Sequence, residues 1–175
     1  MDARRRDVLK LAAFATLAGC AHLPLAASSA SPSDRKKTAM RSRPLITLRL
    51  NTAPTQNIGA GPRGTRVTFP ITGGSFEGDR LRGKVLPGGD DWVIKRSDGV
   101  LELDLRITLE TDDGALVHMT FEGIRDDEGP RGAYFRTLPR FETAAPKYAF
   151  LNRLLAVGTG EIRAEGPVHL IEELI

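Results

Sequence analysis

The chain has 175 residues, of which 41% are hydrophobic and 27% charged, with a single cysteine and a formal net charge of +3. Residues 1–43 hold nine Lys+Arg against three Asp+Glu, which leaves sixteen basic and nineteen acidic groups in residues 44–175, a net of −3. That sign argues against a nucleic-acid partner, because phosphate neutralisation supplies most of such affinity, and a cysteine-free domain can have neither disulfides nor a thiolate zinc site.

The first twenty residues have the order of a secretory signal: a charged opening, the nine-residue apolar run Leu11 to Gly19, then Cys20. A membrane-spanning helix needs roughly 20 apolar residues, so this run is too short to be a permanent span. Arg5-Arg6-Asp7-Val8-Leu9-Lys10 resembles the twin-arginine export motif, with Val8 where that motif usually has Phe. Leu17-Ala18-Gly19-Cys20 resembles a bacterial lipobox, which would make Cys20 the acylated first residue of a lipoprotein. The competing reading is a soluble exported protein cleaved later, near Ala27 or Ala30. Residues 21–43, rich in Ala, Ser, Pro, Lys and Arg, read as a flexible tether. Localisation on the periplasmic side of the envelope follows from these segments as an expectation.

From Pro44 onwards the pattern is β. Strands are expected at Leu45–Leu50, Arg66–Ile71, Leu81–Leu86, Trp92–Arg96, Val100–Thr111, Ala115–Gly123, Tyr134–Phe141, Leu154–Ile162 and Val168–Glu173. The clearest is Val100–Thr111. Leu101, Leu103, Leu105, Ile107 and Leu109 alternate with Glu102, Asp104, Arg106, Thr108 and Glu110, which is the period of a pleated strand. Ser97-Asp98-Gly99 and Asp112-Asp113-Gly114 are turn sequences and predict a hairpin on each side of it. One short helical turn is expected at 146–153. The sum predicts an all-β domain over 44–175, an antiparallel barrel of about eight strands, whose interior either fills with side chains or holds one small ligand.

Gly59-Ala-Gly-Pro-Arg-Gly64 matches the dinucleotide-binding glycine pattern but sits before a strand rather than a helix, so it reads as a loop. No cofactor and no metal is expected.

Pro70-Ile-Thr-Gly-Gly-Ser-Phe-Glu-Gly78, Gly83 to Trp92, Thr111-Asp-Asp-Gly114, Tyr134-Phe-Arg-Thr137 with Phe141-Glu-Thr143, and Tyr148 to Arg153 occur together and in order. On these motifs the chain resembles the domain-of-unknown-function 3237 family. The resemblance implies a small lipocalin-like β-barrel and leaves activity open, some fungal relatives being associated with ring-closing steps on natural products. Two positions depart from the family pattern: Asp90 stands where Ala is common, and Ile107 where Tyr is common.

Candidate proton-transfer groups are Asp91 after the Gly88-Gly89 turn, Asp104 on the polar face of the long strand, and His118, the strand-centred imidazole. Trp92 offers apolar area with a polar handle. Arg106, Arg136, Glu142 and Asn152 complete a candidate ligand-binding set, Arg136 being suited to a carboxylate. A bland reading accompanies each: a turn-capping Asp91, a core Trp92, an exposed Asp104–Arg106 pair of little consequence, a satisfied His118. The expected function is an exported barrel, lipid-anchored through Cys20, which binds a small organic molecule in its interior and carries out a cofactor-free isomerisation, cyclisation or hydrolysis on it. The competing function is a non-catalytic envelope lipoprotein that carries a ligand or contacts a partner. Self-association into a homo-oligomer is left open.

Overall fold

The computed structural model describes residues 39–130 and 132–175. The leader, Cys20 and most of the tether lie outside the described residues. Ten strands follow in chain order: β1 (Ser42–Thr52), β2 (Gln56–Gly61), β3 (Gly64–Glu77), β4 (Arg82–Val85), β5 (Gly89–Lys95), β6 (Leu101–Thr111), β7 (Leu116–Asp126), β8 (Tyr134–Glu142), β9 (Ala156–Arg163) and β10 (Gly166–Leu174). A 3-10 helix over Pro146–Arg153 separates β8 from β9.

All ten belong to one antiparallel sheet that closes on itself. β4 and β5 both lie between β3 and β6, β4 beside the second half of β3 and β5 beside the first. They are one stave of the barrel, broken at Leu86-Pro87-Gly88. β1 and β2 share the other edge of β3 in the same way, broken at Ala53-Pro54-Thr55. Proline lacks the N–H a ladder needs, so both breaks fall where the chain carries one. The neighbouring backbone still bridges them, with Leu86 N donating to Thr108 O at 2.9 Å and Ala53 N to Pro70 O at 2.9 Å. Ten strands thus make eight staves, and β1 closes the ring by pairing with both β10 and β3. The β8–β9 wall is the thinnest, with only Arg136↔Thr159 and Thr137↔Gly158 in register.

β3 passes from one pair of partners to the other through Gly73 and Gly74, at φ 149° and 146°. A Cβ on Gly74 would lie 2.1 Å from the Arg49 carbonyl oxygen. Only glycine lets β1 approach β3 there.

The alternation in β6 is realised as expected. Leu103, Leu105, Ile107 and Leu109 are buried, while Glu102, Asp104, Arg106, Thr108 and Glu110 face outward, partly buried or exposed. Inward residues from every stave, among them Leu48, Phe76, Val85, Val93, Leu105, Met119, Phe121, Phe135, Ala156 and Ile171, form one buried cluster. Burying each large side chain of this kind contributes roughly 2 kcal/mol. The 3-10 helix adds Tyr148 and Leu151 to the cluster. It is latched to the β6–β7 turn by Tyr148 Oη, which donates to Asp113 Oδ1 at 2.8 Å.

The inward face of every stave thus contributes to one buried cluster. Two differences from expectation concern strands. Gln56–Gly61 forms β2, and the glycine-rich segment 59–64 is the β2–β3 hairpin rather than an irregular loop. Its composition of Gln, Asn and Gly gives no β signal; pairing with β3 makes it a strand.

Candidate functional site

Because the inward face is occupied by the core, the polar residues of the strands gather outside, and there the barrel wall is concave. A cleft of about 820 Å³ crosses the outer faces of β5, β6, β7 and β8, walled at one end by the β2–β3 hairpin. The cross-strand registers set its floor in two rows. Arg66, Ile94, Glu102, Ile124 and Arg136 are successive neighbours in one. Asp104, Glu122 and Leu138 are successive neighbours in the other, with Trp92 of β5 beside them on the cleft wall. Ile94 is 5% exposed yet outside the core cluster, so it is buried by the cleft walls and not by the barrel interior.

Of the residues singled out from sequence, Trp92, Asp104 and Arg136 line this cleft. Asp104 is held by a two-point ion pair with Arg106, Nε–Oδ1 3.2 Å and Nη2–Oδ2 3.1 Å. The Arg106 guanidinium lies 5.7 Å from the Trp92 ring centroid, within cation–π reach. Arg136 stands over Tyr134 at 5.3 Å, and its Nη1 donates to Phe135 O at 2.9 Å, which fixes the fork.

Asp91 does not line the cleft; its register opposite Leu105 puts it on the inward face of β5 with Val93. The β5–β6 ladder is interrupted between Asp91↔Leu105 and Ile94↔Glu102. In the gap the Asp91 carboxylate accepts the Asp104 backbone N–H at 3.2 Å. Burial pushes its pKa up to about 7; the bond from Asp104 N–H opposes this, and the Asp104 charge adds to it. A carboxyl group poised there can exchange a proton near neutrality.

His118 lies apart from the large cleft. It is exposed, faces Thr108 and Glu142 across the strands, and lines a smaller hollow of about 200 Å³ with Pro87, Arg106 and Trp92. Trp92 is the wall common to both concavities. Glu142 is its cross-strand neighbour and belongs to neither lining. Asn152 is placed at the end of β8, where its amide accepts from Thr143 N at 2.9 Å and donates to Thr143 O at 2.8 Å. That double bond fastens the 3-10 helix to the strand. Among the described residues no group of three His, Cys, Asp or Glu could hold a metal ion.

Arg63, Arg66, Glu122, Ile124, Tyr134 and Leu138 also line the cleft, as do Leu103, Gly123, Thr137 and Val157, and none of these is a candidate from sequence. Glu122, Ile124 and Leu138 could have been found by carrying the outward face of β6 across the hairpins. Arg66 could not, since its place depends on the β3–β5 register.

The described residues form a small closed antiparallel barrel with a cleft along its outward-facing rows. The chain belongs to the family described as Protein of unknown function (DUF3237), whose model matches residues 40–172. It is 36% identical over 125 residues to a UPF0311 protein of Rhodopseudomonas palustris (strain TIE-1), covering 64% of this chain and 82% of that one. A UPF0311 protein of Clostridium acetobutylicum is 42% identical over 101 residues, 50% of this chain and 64% of its own. Among solved structures, a beta-barrel like protein from Acinetobacter baumannii AYE has TM-score 0.71 at 35% identity, covering 78% and 97% of the two chains. An enzyme from Penicillium herquei has TM-score 0.66 at 22% identity, covering 79% and 96%, and shares the fold.

Proposed function

We propose that this is an exported protein, anchored through Cys20, that binds a small organic molecule in the outer cleft. The observation that carries the reading is the cleft itself. At about 820 Å³ it falls within the roughly 300–1,000 Å³ of ligand sites. It also combines the apolar side chains of Ile94, Ile124 and Leu138 with an indole and charged groups of both signs. Export is supported by Arg5-Arg6, the short apolar run and Leu17-Ala18-Gly19-Cys20, all of which precede the family match beginning at residue 40.

Trp92 is the chain's only tryptophan, so its emission reports directly on the cleft. Titration of the purified protein with a panel of aromatic and aliphatic metabolites should change that emission saturably. Ile124→Glu and Leu138→Glu, at exposed positions, should weaken binding at least tenfold and leave the melting temperature unchanged. Binding indifferent to both variants, or no binding anywhere in the panel, refutes the reading. For the anchor, fatty-acid labelling should disappear in Cys20→Ser; persistence of the label refutes it.

A second reading, proton-transfer catalysis on the bound molecule, is favoured by the raised pKa of Asp91 and its bond to the backbone of Asp104. It assigns Asp91 as the proton-exchanging group, with Asp104 as the cleft-facing carboxylate. Asp91→Asn should then abolish turnover while ligand affinity stays within twofold. Equal turnover by the variant refutes the assignment of Asp91, and no turnover by the wild type leaves the protein as a carrier.

A further inference from the structure

We infer that the guest of this cleft is an organic carboxylic acid, its carboxylate taken by Arg66 or Arg136, the arginines that end the cleft floor, and its apolar body resting on Ile94 and Ile124. The inference rests on the cleft being the binding site and adds the chemical class.

It follows from which charges in the cleft are already answered. Glu102 has two guanidinium partners, Arg63 and Arg96, each at 3.5 Å. Asp104 is held bidentately by Arg106. Arg66 and Arg136, by contrast, pair with no carboxylate among the described residues. Arg66 is partly buried, and a guanidinium withdrawn from water without a counter-charge carries a desolvation cost that an anion would offset. Arg136 commits Nη1 to Phe135 O and its plane to Tyr134, which holds the remaining N–H groups in place for a bidentate acceptor.

The two arginines end the row Arg66–Ile94–Glu102–Ile124–Arg136. Four strand steps separate their backbones, about 19 Å along the sheet. The Arg136 head lies along its own strand, over Tyr134 and on Phe135 O, and the two isoleucines lie between the arginines in the row. Glu122 is the one acid of the lining without an arginine; it is exposed, as Arg136 is, whereas Arg66 is partly buried. A cationic guest would meet no buried, unanswered acid. A planar carboxylate on an apolar body meets an unanswered cation at either end of the floor.

The test uses matched pairs of aryl carboxylates and their carboxamides, beginning with cinnamate and cinnamamide, followed by calorimetry and Trp92 emission. Each acid should bind at least tenfold more tightly than its amide. Arg66→Gln and Arg136→Gln should each shrink that preference, and the double variant should erase it; Arg66→Lys and Arg136→Lys retain charge and should retain part of it. Acids and amides binding alike, or a preference that survives the double variant, overturns the inference while the cleft stands as a binding site. Failure of both members of every pair to bind removes the cleft reading and this inference with it.

Discussion

His169 should make the fold acid-sensitive. It is 2% exposed on β10, its ring centroid 4.9 Å from that of Phe121 and 5.2 Å from that of Phe135, and its Nδ1 has no hydrogen-bond partner. Burial among these rings disfavours the imidazolium and pushes its pKa down from 6.5 to about 4. In the unfolded chain the same imidazole binds its proton at the ordinary value, so the unfolded state gains protons first as pH falls. Stability from this group is whole above pH 6.5, declines through the interval, and is gone below about pH 4. The interval corresponds to a loss of about 3 kcal/mol, a large share of the roughly 5–15 kcal/mol that holds a domain folded. Asp91 titrates over an overlapping range in the opposite sense, so wild-type stability against pH is not itself diagnostic. The comparison that isolates the imidazole is wild type minus His169→Leu, by urea unfolding followed at Trp92, at intervals from pH 4 to 8. The difference should be level above pH 6.5 and move by about 3 kcal/mol in favour of the variant by pH 4. Parallel curves across the whole range would refute the account.

Other residues give sharper single-point expectations. Asp91 is raised to about 7, so its proton stabilises the fold below the unfolded value near 3.8 and that contribution is lost as pH rises through 7. Asp91→Asn, which keeps an acceptor for Asp104 N–H, should be neutral at pH 4 and stabilising by about 2 kcal/mol at pH 8, after discounting for partial exposure; equal stability at pH 8 would contradict it. Gly74→Ala places a methyl 2.1 Å from the Arg49 carbonyl oxygen and should cost about 3 kcal/mol or more, read by thermal melts. Asn152→Ala removes both bonds to Thr143 and should cost about 1–3 kcal/mol with ligand affinity unchanged. A loss of affinity at intact stability would return Asn152 to the binding site.

What the sequence discloses here is set by period. β6 is legible because a strand with one buried face must alternate, and five alternations leave no helical option. The turns at 97–99 and 112–114 are legible because Asp and Gly favour tight-turn backbone. The 3-10 helix over 146–153 follows from Pro146 opening a segment bounded by strands. The two broken staves escape a local reading: each half looks like a separate strand, and only pairing with the opposite halves of β3 shows that four segments occupy two positions. The site is harder still. Trp92, Asp104 and Arg136 could be named as candidates, but their convergence depends on the β5–β6–β7–β8 registers. His118 and Glu142, four residues from the cleft positions Glu122 and Leu138 on the same strand faces, fall two rows away from it.

The two rungs between β8 and β9 give the ring a hem. If they parted, the cylinder would unroll into a curved sheet with two bare borders, each offering unpaired amides and carbonyls to another molecule. One rung contains Arg136, so an occupant gripping that residue would also help keep the hem sewn. Occupancy and resistance to unrolling would then rise together by mass action, and amide exchange along Tyr134–Leu138 and Val157–Gly160 would slow as the cleft fills.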